Sequence, residues 1–108
     1  MSFKSQVTPS IGLSGTPSTI TATVGSGTTA TIIGLSLANI SASNVTVSAK
    51  LNKSGGSSAF LIKDATVLSG GTLVVVGGDQ KLVLEAGDTV TSYASTASSV
   101  DAIVSYLA

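Results

Sequence analysis

The run from Ser43 to Lys53, SNVTVSAKLNK, alternates without a break: Val45, Val47, Ala49 and Leu51 fall on one parity, Thr46, Ser48, Lys50 and Asn52 on the other. Side chains of an extended chain leave opposite faces in turn, so a two-residue period marks a half-buried strand. TTATIIGLSLAN, from Thr28, repeats the pattern, with Thr31, Ile33, Leu35 and Leu37 expected on one face. NISASN, Asn39 to Asn44, then reads as the loop joining the two strands. No segment sustains a helical period.

Further runs follow between turn signals. KSGGSS is a loop by composition and AFLIKDA a short strand. Within GGTLVVVGGDQKLVLEAGDTV, Gly70 to Val90, TLVVV is a brief apolar strand and GGDQ a turn, and KLVLE sets Leu82 and Leu84 on one side. That reads as a hairpin whose acids shape turns, because glycine supplies positive φ and aspartate bonds its own backbone. TVTSYAS continues the series. SSVDAIVSYLA puts Val100, Ala102, Val104 and Tyr106 on one parity, a final strand with a short helix as the alternative. Phe60, flanked by Leu61 and Ile62, reads as core, and Tyr93 and Tyr106 as rim or packing edge.

Short strands with turns every eight to twelve residues are the pattern of a sandwich or small barrel. The expected fold is all-β, an antiparallel β-sandwich of jelly-roll or Ig-like type with about seven or eight strands. Residues 28–108 carry the clean alternation and form the expected sandwich domain. Residues 1–27, with both prolines and many hydroxyl groups, read as an N-terminal arm or loop-rich segment holding one or two short strands, which orders on docking.

At 108 residues the chain is one domain with one modest core. Charged residues are 9% where about 25% is usual, and Ser and Thr, roughly a third of the chain, supply the polar surface instead. Five lysines balance five acids and there is no arginine, so no basic patch can be assembled for nucleic acid or an anionic membrane. No window approaches a membrane span, and the start lacks the apolar core of a signal peptide, which points to folding in a cytoplasm. Weakly charged surfaces associate readily, which suits a subunit that ends up assembled.

The reactive inventory is short. Without histidine or cysteine, the commonest general base, the usual zinc ligands and the best nucleophile are missing together. Ser48 near Lys50, or Lys63 or Lys81 beside a serine, would need a tuned environment that the sequence does not indicate. Asp79, Glu85 and Asp88 lie within ten residues, yet the dense Asp/Asn loop of a calcium site is absent, so they read as turn residues. The glycine-rich GSG, SGG and VGG lack the strand–helix context of a phosphate cradle. The sequons at Asn39 and Asn44 are chance matches in a Ser/Thr-rich chain. The expectation is therefore a protein that is not an enzyme, with no catalytic, cofactor-binding or metal-binding residue and no cofactor.

Three phrases, TIIGLSLANISASNVTV, GGTLVVVGGDQKLVLEAGDTV and SSVDAIVSYL, together resemble small virion structural proteins of tailed bacteriophages, particularly those of cyanobacteria and other aquatic bacteria. The likeness covers Thr28 to Leu107. It implies a non-enzymatic particle component, an accessory subunit on the neck or tail or a capsid decoration protein. The implied partners are other virion proteins and copies of itself in a symmetric homo-oligomer, and the implied location is the virion. The alternative reading is a glycan-binding module for host recognition, since exposed aromatics serve as sugar platforms and Phe3, Phe60, Tyr93 and Tyr106 are available.

Overall fold

The computed structural model, which describes residues 2–108, contains nine strands. They are β1 (Phe3–Thr8), β2 (Ser18–Thr19), β3 (Thr29–Asn39), β4 (Val45–Asn52), β5 (Ser58–Val67), β6 (Thr72–Val76), β7 (Leu82–Glu85), β8 (Thr89–Ala94) and β9 (Val100–Leu107). One sheet has the order β1-β9-β3-β6, with β7 also on β3; the other has the order β2-β8-β4-β5. Every pairing is antiparallel. The all-β sandwich expected from the alternation is the fold, and SSVDAIVSYLA ends as a strand, not a helix.

Nine strands exceed the expected seven or eight because the first segment supplies two, β1 and β2, beside the seven that follow Thr28. The stretch read as a hairpin is not one. β6 pairs with Leu35–Ala38 and β7 with Thr29–Ile32, both antiparallel to β3. They therefore run in the same direction along one edge, two parts of a single strand interrupted by an excursion over Gly77–Lys81. Gly78 takes φ 60 there, a left-handed conformation that costs glycine nothing. The turn signal was real, but β3 offers an uninterrupted partner for both halves, and that pairing replaces a hairpin. With β6 and β7 taken as one, eight strand positions fill two four-stranded sheets, and the chain changes sheet at every step except β4 to β5. This is the arrangement of a jelly roll, two Greek keys folded together.

β3 also departs from strict alternation. Ala30 and Ile32 face the core in its first half, Leu35 and Leu37 in its second, so Thr31 and Ile33 do not share a face with Leu35 as expected. A bulge against β9 between Ile32 and Gly34 inserts one residue and reverses the parity. In β4 and β9 the expected faces hold: Val45, Val47 and Ala49, and Val100, Ala102 and Val104, are buried.

The first segment is built into the sandwich. β1 extends one sheet and β2 the other, while Ile11 and Ile20 are fully buried in the shared core with Leu35, Leu37, Leu84 and Val90. The Ile20 N–H donates to the Val90 carbonyl at 2.9 Å and that of Ile11 to the Val100 carbonyl at 2.9 Å, so the segment is tied to both sheets by backbone and side chain. Each such buried aliphatic side chain stabilises by about 1.5–3 kcal/mol relative to exposure. Phe60, expected in the core, lies instead on the outer face of β5, 41% exposed, because it shares the outward parity of its partner Lys50.

Candidate functional site

The groups that carry chemistry are dispersed, and most are occupied in holding turns. Asp88 is the buried acid among the described residues, with a side chain only 1% accessible. Its carboxylate accepts the N–H of Glu85 at 2.9 Å and that of Ser54 at 3.0 Å, and pairs with the Lys53 ammonium, which also meets Glu85 at 2.9 Å. The Lys53 partnership, with help from the Glu85 and Ser54 amides, holds the Asp88 carboxyl below its usual value. Lys53 is raised in turn, chiefly by its bond to Asp88 and next by that to Glu85. The cluster staples the β4–β5 loop to the β7–β8 turn. Of the three neighbouring acids in the sequence, the structure brings Glu85 and Asp88 together and leaves Asp79 exposed in the Gly77–Lys81 excursion. Among the described residues no three His, Cys, Asp or Glu side chains are grouped to hold a metal ion.

Ser48 is fully buried, and its hydroxyl accepts the Asp64 N–H at 2.9 Å, supporting the bulge at which Asp64 takes φ 50. Lys50 and Lys63 each sit 5.3 Å from the centroid of the Phe60 ring, a cation–π arrangement, and Lys63 also pairs with Asp64 at 3.1 Å. Lys81 donates to the Gly78 carbonyl. The lysines considered for a Ser-Lys pair are thus engaged elsewhere. Sequence inspection missed Asn39, whose buried amide donates to the carbonyls of Ser43 and Val67 and accepts from the Ser41 N–H and hydroxyl. All of that amide's capacity is used in shaping the 40–44 loop, so this sequon has no free nitrogen for a glycan. The sole hint in the sequence was its place at the end of an alternating strand.

Two concavities stand out among the described residues. One, about 330 Å³, opens between the first sheet and the 21–28 segment and is lined by residues including Thr21, Val24, Ala30, Leu84 and Tyr106, with Lys4 its one charged side chain. It is mainly apolar and has no acid–base pair. The other is a shallower groove of about 460 Å³ on the outside of the second sheet, lined by residues including Leu13, Ser14, Lys63, Asp64, Tyr93 and Ser95.

The two outer faces differ in character. On the second sheet, Lys50, Asn52, Thr91 and Tyr93 point outward, and Asn52 donates to the Thr91 hydroxyl at 3.0 Å. On the first sheet the register sets Val7, Ile103, Ser36 and Val74 in one row across the four strands, and Phe3, Leu107, Thr31 and Val83 in another. Phe3, Val7, Val74, Val83 and Ile103 are all exposed. Asp101 and Glu85 mark the two ends of this face; the paired rows between them hold no charged residue, and Asp79 and Lys81 stand exposed in the excursion at its β6–β7 edge. From strand spacing and rise the face measures roughly 14 by 30 Å, on the order of 400 Å². Contiguous weakly polar areas of that size are commonly interaction surfaces.

Compared with family models, with characterised proteins and with solved structures, the chain matches none. Its class is therefore defined by architecture alone: an all-β jelly-roll sandwich with one polar and one uncharged outer face.

Proposed function

We propose that this chain is a non-enzymatic structural subunit of a tailed-phage virion, attached to the neck or tail or decorating the capsid through repeated protein–protein contacts. The observation that carries the reading is the uncharged, apolar outer face of the first sheet, opposite a polar face suited to water. A face on the order of 400 Å² is about half the roughly 800 Å² per partner of a standard stable interface. One such contact is weak, and many copies on a symmetric particle turn it into firm attachment. The three phrases that resemble phage virion proteins supply the particle. Jelly rolls occur in viral capsid and lectin domains alike, so the fold is compatible with the reading without selecting it. Quantitative mass spectrometry of purified particles tests it: a fixed copy number per particle is expected, and absence from particles refutes it.

A second reading, glycan recognition for host attachment, draws on the groove where Tyr93 lies beside Lys63 and Asp64. An aromatic body flanked by a carboxylate and hydroxyls is what a sugar ring needs for stacking and hydrogen bonding. A glycan array decides it, with saturable binding that Tyr93→Ala abolishes as the supporting result.

A further inference from the structure

The two sheets have four edges, and three are blunted. β2 is two residues long, β5 carries the bulge with Asp64 at φ 50, and the β6–β7 edge is broken by the Gly77–Lys81 excursion. Such features prevent open sheets from pairing with other chains. β1 has six regular residues in an unbroken register with β9 and no bulge. Its only charged residue is Lys4.

The pairing with β9 dictates which backbone groups of β1 are free. Ser2 and Ala108 exchange both bonds, N–H to carbonyl at 2.7 Å and at 3.0 Å. In an antiparallel ladder bonded and non-bonded pairs alternate, so Lys4, Gln6 and Thr8 also turn their amides toward β9. Phe3, Ser5 and Val7 turn theirs outward, and among the described residues those N–H groups have no partner.

From this geometry we infer that β1 pairs with β1 of a second copy, antiparallel about a two-fold axis through Ser5, joining the two β1-bearing sheets into one. Facing residues must both be of the outward-bonding kind, which allows few registers. Centring on Ser5 sets Phe3 opposite the other copy's Val7, Ser5 opposite Ser5 and Val7 opposite Phe3, and all six N–H···O bonds form. Centring on Lys4 sets two like charges face to face, which is unfavourable. Centring on Gln6 brings Phe3 opposite Pro9, which has no N–H to give.

The Ser5 register also places an aromatic and a β-branched side chain together on the outer face, a favourable cross-strand pair. It prolongs the row Val74, Ser36, Ile103, Val7 of one copy into Phe3, Leu107, Thr31, Val83 of the other. An isologous contact of this kind closes at two copies. Six hydrogen bonds at one per 100–200 Å² correspond to roughly 600–1,200 Å² of interface, the weak and reversible class. The pairing deepens the self-association part of the proposed function and specifies its surface. It is tested on the isolated protein, while the virion role is tested on particles, so the two fail separately.

Sedimentation of the full chain over the micromolar to millimolar range should give a reversible monomer–dimer equilibrium. Ser5→Pro removes an N–H that β9 does not use, and Ser5→Lys sets two ammonium groups opposite each other. Each should weaken dimerisation at least tenfold while the circular dichroism melt stays that of the folded monomer. The register is read by mixing Lys4→Cys with Gln6→Cys in a chain that has no other cysteine. Under mild oxidation the mixed disulfide should dominate, because those residues face each other. Predominance of either homodimeric disulfide would overturn the register, and a monomer at all concentrations, or dimers indifferent to both Ser5 variants, would overturn the pairing.

Discussion

Replacing Ile20 by alanine asks whether the first 27 residues belong to the folding unit. Ile20 is fully buried, and its N–H to Val90 survives the substitution, so only the side chain is lost. Large-to-small changes at such positions cost about 2–5 kcal/mol, combining lost transfer energy with the cavity left behind. For 108 residues the unfolding entropy near the midpoint is about 0.23 kcal/mol/K, so each kcal/mol lowers Tm by about 4 °C. The expected drop is therefore about 9–22 °C. The chain has no tryptophan, which makes calorimetry or far-ultraviolet circular dichroism the suitable probe, with urea midpoints as a check. Ile40→Ala removes the same atoms at a site 57% exposed and should change stability by less than about 0.5 kcal/mol. If Ile20→Ala behaves like Ile40→Ala, the segment is a detachable arm and its place in the core is wrong.

Stability should also depend on pH at both extremes. The Asp88 pKa lies below 3.8 in the folded chain, so its contribution is present above the unfolded carboxylate value and is lost as pH falls through the folded one. Lys53, raised above 10.5, contributes below its unfolded value and loses that contribution as pH rises through the folded one. Melting curves from pH 2 to 6 should show a shallower acid limb for Asp88→Asn than for the natural chain, and equal slopes would contradict the assignment. Gly87→Ala combines φ 81 with a Cβ 2.8 Å from that of Ser54, and should destabilise by more than about 1–2 kcal/mol in urea unfolding. Asn39→Ala leaves the Val67 carbonyl without its side-chain donor and the Ser41 groups without their acceptor, and should cost about 2 kcal/mol or more by the same measurement.

Period-two patterning revealed the strands and most of their inward faces, because burial on one side of a pleated sheet leaves a direct trace in residue order. β4 and β9 were legible for this reason. What patterning does not carry is partnership: nothing in GGDQ tells whether the flanking runs pair with each other or lie end to end on β3. The bulge at Ile33 was invisible for a related cause, since one inserted residue exchanges faces without changing composition. Ile11 and Ile20 sit in prolyl, hydroxyl-rich text whose one alternation, Ile20, Ala22 and Val24, is brief, and long-range docking, of Ile11 on Val100 and of Ile20 on Val90, makes them core. The Lys53–Asp88 pair spans 35 positions, beyond any local signal. The candidate interaction face was legible only as a shortage of charge, and its two rows appear once the register is known.

An electron microscopy map of the particle, at a resolution that shows strands, decides whether the outer face of the first sheet is the attachment surface. Copies are expected in symmetric array with the apolar face of the first sheet covered by a neighbour and the Lys50–Tyr93 face toward solvent. Copies with the first sheet bare and the second buried, or particles with no density for this chain, would contradict it.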